Sequence, residues 1–137
     1  MIAADAPLEE VQRIFTHDRF ATNAGCTVVE AAPGHGVTQM DVTPEHLNEK
    51  GGVMGGAIFT LADLAIAVAS NVGDDPTVSV SFTIEFLAGA RGTRLTATAD
   101  AEKDGRSLGY YTCLVTDELG TKVARVVGTC MHLHPRT

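Results

Sequence analysis

The chain has 137 residues, enough for one hydrophobic core and a single domain over 1–137, and its 45% hydrophobic, 20% charged composition is globular, not disordered. A formal charge of -7 argues against nucleic acid as a partner and leaves any phosphorylated ligand to a few local cations. Three cysteines (Cys26, Cys113, Cys130) without CxxC spacing argue against a disulfide framework and suit a reducing, cytoplasmic setting, and the N-terminus shows no signal peptide.

Leu8, Val11, Ile14 and Phe15 recur at helical spacing behind Pro7, which predicts a short amphipathic helix over about 7–17. Asn23-Ala24-Gly25 reads as a turn and Cys26 to Ala32 as a strand. Pro33-Gly34-His35-Gly36 reads as hairpin punctuation before a returning strand from Val37 to Val42. The polar, glycine-rich stretch 44–52 reads as a loop into a long apolar helix over about 55–71, which Gly73-Asp74-Asp75-Pro76 closes. Four strand-like runs follow: Val78 to Phe86 with clean period-two alternation, Leu95 to Glu102, Ser107 to Asp117 and Thr121 to His132. Their short connections, with an Asp104-Gly105 turn among them, predict a four-stranded antiparallel meander. Its apolar face needs a cover, and the long helix is the only apolar element of sufficient length. The expected class is α+β: a strongly twisted antiparallel sheet wrapped around a long central helix.

Within that helix only Thr60 and Asp63 are polar between Ala57 and Ala69. The stretch is slightly short for a membrane span, lacks basic flanks and carries Asp63 at its centre, so a membrane is rejected. A helix apolar all round belongs in an interior. A carboxylate there either has a bonding partner, Thr60 or a backbone group, or is kept for chemistry. The helix opens on Gly55-Gly56, where unpaired amides and the positive dipole end suit a developing anion.

His46-Leu47-Asn48-x-x-Gly51-x-x-x-Gly55-Gly56-Ala-x-Phe59-x-Leu61-Ala62-Asp63 resembles the signature of hotdog-fold acyl-CoA thioesterases, in the phenylacetate-pathway and 4-hydroxybenzoyl-CoA thioesterase branch. The Val78-Ser79-Val80 strand and the Asp104-Gly105-Arg106 hairpin also resemble that branch, so the likeness runs from about Asp41 to the C-terminus. The resemblance implies hydrolysis of an acyl-CoA thioester with no metal and no organic cofactor. It implies Asp63 as nucleophile or general base, Gly55 as the N–H donor to the thioester carbonyl, and Asn48 as a positioning residue for water or thioester. Ser79 matches a serine that assists the attacking water. Many members carry a histidine immediately before the two glycines; Met54 stands there in this chain, and any hydrogen bond from that histidine is lost.

Eight residues separate Gly55 from Asp63, about 12 Å along one helix. A nucleophile must come within about 3–3.5 Å of the carbon whose oxygen the amide holds. Two antiparallel helices in a symmetric homodimer bring Gly55 of one chain to Asp63 of the other, with two composite sites, and the family often pairs dimers into tetramers. Met54, Gly56 and His46 are placed beside the substrate by the same motif. For CoA phosphates the candidate cations are Lys103, Arg106, Lys50 and Arg91, each by default a solvated charge. The cysteines read as small core residues. His132 and His134 alternate on the last strand but lack a third ligand in sequence and read as surface residues. The competing functions are a non-catalytic acyl-CoA-binding module, which Met54 favours, and a hotdog hydratase or dehydratase, which needs a histidine near the acid that the sequence does not supply.

Overall fold

Residues 1–134 are described by the computed structural model. Helix α1 (Leu8–Phe15) buries Val11, and α2 (Arg19–Asn23) starts on Asp18, whose carboxylate accepts the Ala21 amide. The sequence pattern predicts one helix here, and the chain makes two. Strands β1 (Thr27–Ala32) and β2 (His35–Asp41) form the expected hairpin. A single 3-10 turn (Pro44–His46) breaks the loop before α3 (Gly55–Asn71), a helix about 26 Å long.

Small residues let that helix lie directly on the sheet. Ala62 and Ala65 on α3 and Ala97 and Ala99 on β4 are fully buried. On β2, a Cβ added at Gly36 would sit 2.5 Å from the Ala65 carbonyl oxygen, so only glycine permits this approach. Cys26, Cys113 and Cys130 are unpaired and buried, as expected of core residues.

The remaining strands are β3 (Thr77–Phe86), β4 (Arg94–Asp104), β5 (Leu108–Asp117) and β6 (Lys122–His132). They join β1 and β2 in one antiparallel sheet of order β1-β2-β4-β5-β6-β3. The expected four-stranded meander is therefore corrected. Only β4-β5-β6 is a meander; β3 pairs with β6 at the far edge, and β2 takes the place beside β4. The connection permits it: three strand spacings are about 14 Å, and segment 87–93 reaches about 23 Å when extended.

Two acids at the β5–β6 turn fasten that crossing segment. Asp117 accepts the amides of Arg91, Gly92, Leu119 and Thr121, and Glu118 accepts those of Thr93 and Arg94. Burial alone would raise the Asp117 pKa, but the Gly92, Arg91 and Thr121 amides outweigh it and hold the group far below its usual range.

The two sheet edges differ. Along β1, α1 covers the edge, and Gln12 Nε2 donates to the Val28 carbonyl at 2.8 Å. Along β3 none of the described residues takes the outer side, and Val78, Val80 and Phe86 are 41%, 57% and 56% exposed. An uncovered apolar edge is a template for another strand. Among the described residues no helix is long and apolar enough to cross a membrane.

Because the folded pKa of Asp117 is depressed, its contribution is present above the unfolded value of 3.8 and lost as pH falls below it. Asp117→Asn is expected to lower the melting temperature at pH 7 and to reduce the acid-induced loss between about pH 5 and 2, both read by thermal denaturation across pH.

Candidate active site

The mouth of α3 is built by three segments converging on its first turn. The amides of Ala57 and Ile58 both donate to the Met54 carbonyl, while those of Gly55 and Gly56 precede the first intrahelical donor. Among the described residues neither amide has a backbone acceptor, and the two glycines line separate cavities on either side of the turn.

The first, about 570 Å³, is lined by Asn48, Lys50, Gly52, Gly55, Phe86 and the 87–90 segment. Asn48 Oδ1 accepts the amides of Lys50 and Gly52 at 3.0 and 3.1 Å, closing the loop as an Asx-type turn, and among the described residues its NH2 group has no acceptor. The Phe86 ring covers Gly55 so closely that an added Cβ would lie 2.8 Å from its Cζ. Any side chain at Gly55 displaces the ring. At Gly56 the same methyl would meet only Met54 Cε at 3.5 Å, an ordinary contact.

The second cavity, about 650 Å³, lies on the other side of the same turn against Phe20, His46, Met54, Gly56 and Thr60. Met54 is 56% exposed and forms part of the wall. His46 Nδ1 accepts the Thr43 amide at 3.0 Å and Nε2 donates to the Ala24 carbonyl at 2.6 Å. Both ring nitrogens are committed within the chain, so His46 braces the 3-10 turn against α2.

Asp63 lies two turns down α3. Thr60, its nearest helical polar neighbour, donates instead to the Gly56 carbonyl at 2.8 Å, and none of the side-chain hydrogen bonds of the described residues uses the Asp63 carboxylate. Burial, and secondarily the negative charge of Asp18, raises its pKa above the usual carboxylate value. The expectation of a helix enclosed on every side is corrected: Gly56, Thr60, Asp63, Ala67 and Asn71 form a stripe that stays partly open. A single sheet covers only one side of a helix, and on the opposite side the short α2 flanks the first turns without closing over them.

The other sequence candidates divide by position. Ser79 stands opposite Cys130 on the bare β3 edge, and the Cys130 thiol, pushed up to about 11 chiefly by burial, also feels the Asp63 charge. That puts Ser79 on the Asp63 side of the molecule. Lys103 and Arg106 are on the β4–β5 hairpin beside His134 and the α3 C-terminus, at the far end from Gly55 of the same chain. Lys50 is at the Gly55 mouth, and Arg91 is in the pinned crossing segment. Three residues were not picked out beforehand. Asp18 carried a helix-start signal, whereas Phe86 and Phe20 had no sequence mark of their contact with the mouth.

Residues 50–124 match the Thioesterase superfamily. The acyl-coenzyme A thioesterase PaaI of Escherichia coli is 32% identical over 117 residues, covering 85% of this chain and 84% of that protein. The solved E. coli PaaI protein from the phenylacetic acid degradation operon superposes with a TM-score of 0.86 at 28% identity, covering 92% of each chain. A Streptococcus mutans protein solved bound to acetyl-CoA superposes with a TM-score of 0.74 at 26% identity, covering 80% of this chain and 90% of that one.

A carboxylic acid whose folded pKa is raised binds its proton more tightly in the native state. Its contribution to stability therefore falls as pH rises from the unfolded value of 3.8 through the folded one. Asp63→Asn is expected to melt at or above the wild-type temperature at pH 7, with the gap closing toward pH 4, in calorimetric scans over that range.

Proposed function

Because the chain belongs to the thioesterase superfamily, a family of thioester hydrolases with the hotdog fold, we propose that it hydrolyses a small aromatic or medium-chain acyl-CoA to the free acid and CoA. In this reading Asp63 is nucleophile or general base and the Gly55 N–H is the oxyanion donor. The observation that carries it is the pairing on α3 of two amides without a backbone acceptor and a half-buried carboxylate without a hydrogen-bond partner, both among the described residues.

The two groups sit about 12 Å apart on an unbroken helix, so one chain does not bring them to one carbon. A homodimer formed across the β3 edge, with the α3 helices antiparallel, places the Gly55 mouth of one copy against Asp63 of the other. The bare apolar edge and the open stripe on α3 both support it. In that pair Lys103 and Arg106 of one copy come to the mouth of the other, where Lys50 already stands, and the three cations meet the CoA phosphates. Leu108, Tyr110, Val127 and Met131 are exposed and share the outer face of the sheet, an apolar area suited to a second dimer and hence a tetramer. Three buried, unpaired cysteines fit a cytoplasmic setting.

The chemistry follows from charge. Attack by Asp63, giving an anhydride that water then hydrolyses, or by water that Asp63 deprotonates, converts the thioester carbonyl to an oxyanion, and the preorganised Gly55 amide stabilises it at typically about 2.7–4 kcal/mol per donor. Asn48 offers its free NH2 to the thioester or the water. The thiolate leaves without a strong acid. Phe86 and the 87–90 segment wall the reacting carbon from solvent. Met54 supplies no proton or hydrogen bond, which favours the second reading: a non-catalytic acyl-CoA-binding protein.

An acyl-CoA panel with a thiol-detecting dye separates the two. Asp63→Ala is expected to remain a folded dimer and to lose turnover by at least about 100-fold, the scale of a lost catalytic acid–base group. Full thiol release by that folded variant, or acyl-CoA binding by the wild type with no release, would overturn the catalytic reading. The carboxylate form is the active one, so the acid limb of kcat/KM is expected above pH 3.8, displaced upward as burial requires.

A further inference from the structure

At the opposite end of α3 from the Gly55 mouth, three strand termini meet around a side chain that the catalytic reading does not use. His132, near the end of β6, has a side chain only 1% exposed. Its Nε2 lies 2.6 Å from Asp104 Oδ1 at the end of β4 and 3.6 Å from Asp74 Oδ2 in the turn after α3. The ligand atoms of Asp74, Asp104 and His132 all lie within 4.8 Å of one another. The expectation that His132 is a surface residue without further ligands is corrected here: the carboxylates are far away in sequence and adjacent in space.

The other side of the ring fixes its orientation. His132 Nδ1 is 2.7 Å from Thr77 Oγ1, and that hydroxyl has the carbonyls of Asp75 and Ser70 at 2.9 and 3.1 Å. Thr77 has one proton and two carbonyl acceptors for it, so Nδ1 donates to Oγ1. At 2.6 Å, Nε2 and Asp104 Oδ1 share a proton, and a cation bound there would replace that proton with the two ligand atoms moved apart. A histidine held through its second nitrogen, with the first turned to carboxylates, is the usual supported arrangement of a metal ligand.

A separate observation points to a ligand. Tyr111 is 1% exposed, and its hydroxyl is the buried side-chain polar atom without a hydrogen-bond partner among the described residues. The hydroxyl lies against Gly109, where an added Cβ would meet it at 2.6 Å, and Gly109 pairs with Asp104 on one side and Cys130 on the other. Tyr111 therefore aims toward the end of the sheet where the cluster lies, and the charges of Asp104 and Asp74 reach it. A proton on His132 would leave this hydroxyl unsatisfied; a hydrated metal ion would not.

We propose that Asp74, Asp104 and His132 form a divalent-cation site of the zinc or manganese class, with a metal-bound water, hydrogen-bonded to Tyr111, as the fourth ligand. One imidazole and two carboxylates suit such borderline cations, and three protein ligands leave a position for water. The ion would join the turn after α3, which leads into the bare β3 edge, to the ends of β4 and β6. It is a staple of the fold, separate from hydrolysis.

The test uses the full chain stripped with EDTA and titrated with Zn2+ or Mn2+ by calorimetry and by thermal denaturation. The expected result is one equivalent bound per chain with a raised melting temperature. Asp74→Asn keeps the fold, since Asp74 touches the ring only at 3.6 Å, and is expected to weaken binding by at least about 10–100-fold. Tyr111→Phe is expected to weaken binding as well, yet to leave the metal-free protein as stable as wild type or more so, because it removes an unpaired buried hydroxyl. Co2+ is expected to give a spectrum without the thiolate charge-transfer band that binding at nearby Cys130 would produce. No saturable binding by the wild type, equal affinity in Asp74→Asn, or a thiolate band would each overturn the proposal.

Discussion

The structure depends on how one apolar helix is covered. A twisted antiparallel sheet lies against α3 through alanines and through Gly36, so close that a methyl group on Gly36 would collide with the helix backbone. Such contact buries one side of α3 completely and leaves a stripe through Gly56, Thr60, Asp63, Ala67 and Asn71 only partly covered. The half-exposure of Asp63 is the consequence. A fully enclosed carboxylate would be driven neutral, and a fully solvated one would behave as an ordinary surface acid. The edge of a one-sided cover holds it between those limits.

The same constraint organises the mouth of the helix. The first turn projects free amides only because the chain approaches it extended, through the loop that Asn48 closes and His46 braces. Opposite, the 87–93 segment is held by Asp117 and Glu118, acids of the β5–β6 turn that accept its amides. Phe86, at the start of that segment, is thereby kept over Gly55. The glycine has a packing reason and a chemical reason at once: with no side chain it accommodates the ring and leaves its N–H accessible.

The two ends of α3 have opposite characters. The N-terminal end gathers loops, free amides and cavities. The C-terminal end gathers Asp74, Asp104, His132 and Tyr111 into a dense polar knot where the termini of β4 and β6 meet the turn into β3. That turn leads into the sheet edge that none of the described residues covers, so the order of the knot bears directly on the edge available to a second copy.

The amino-acid sequence by itself determined the six strands, the central helix over 55–71, the acid within it and the glycine pair at its start, because periodicity and turn chemistry are local properties. The family signature, a run of residues close in the chain, was legible for the same reason. Tertiary structure alone decided that β3 leaves β4 and pairs with β6, since which strands become neighbours depends on how far a connection reaches, not on the pattern within either strand. It alone showed Phe86 over Gly55, Asp18 near Asp63, and a histidine from the last strand among acids from distant turns. Those contacts join residues tens of positions apart, and no local pattern marks them, because the sheet that brings them together forms only when the whole chain has folded around one helix.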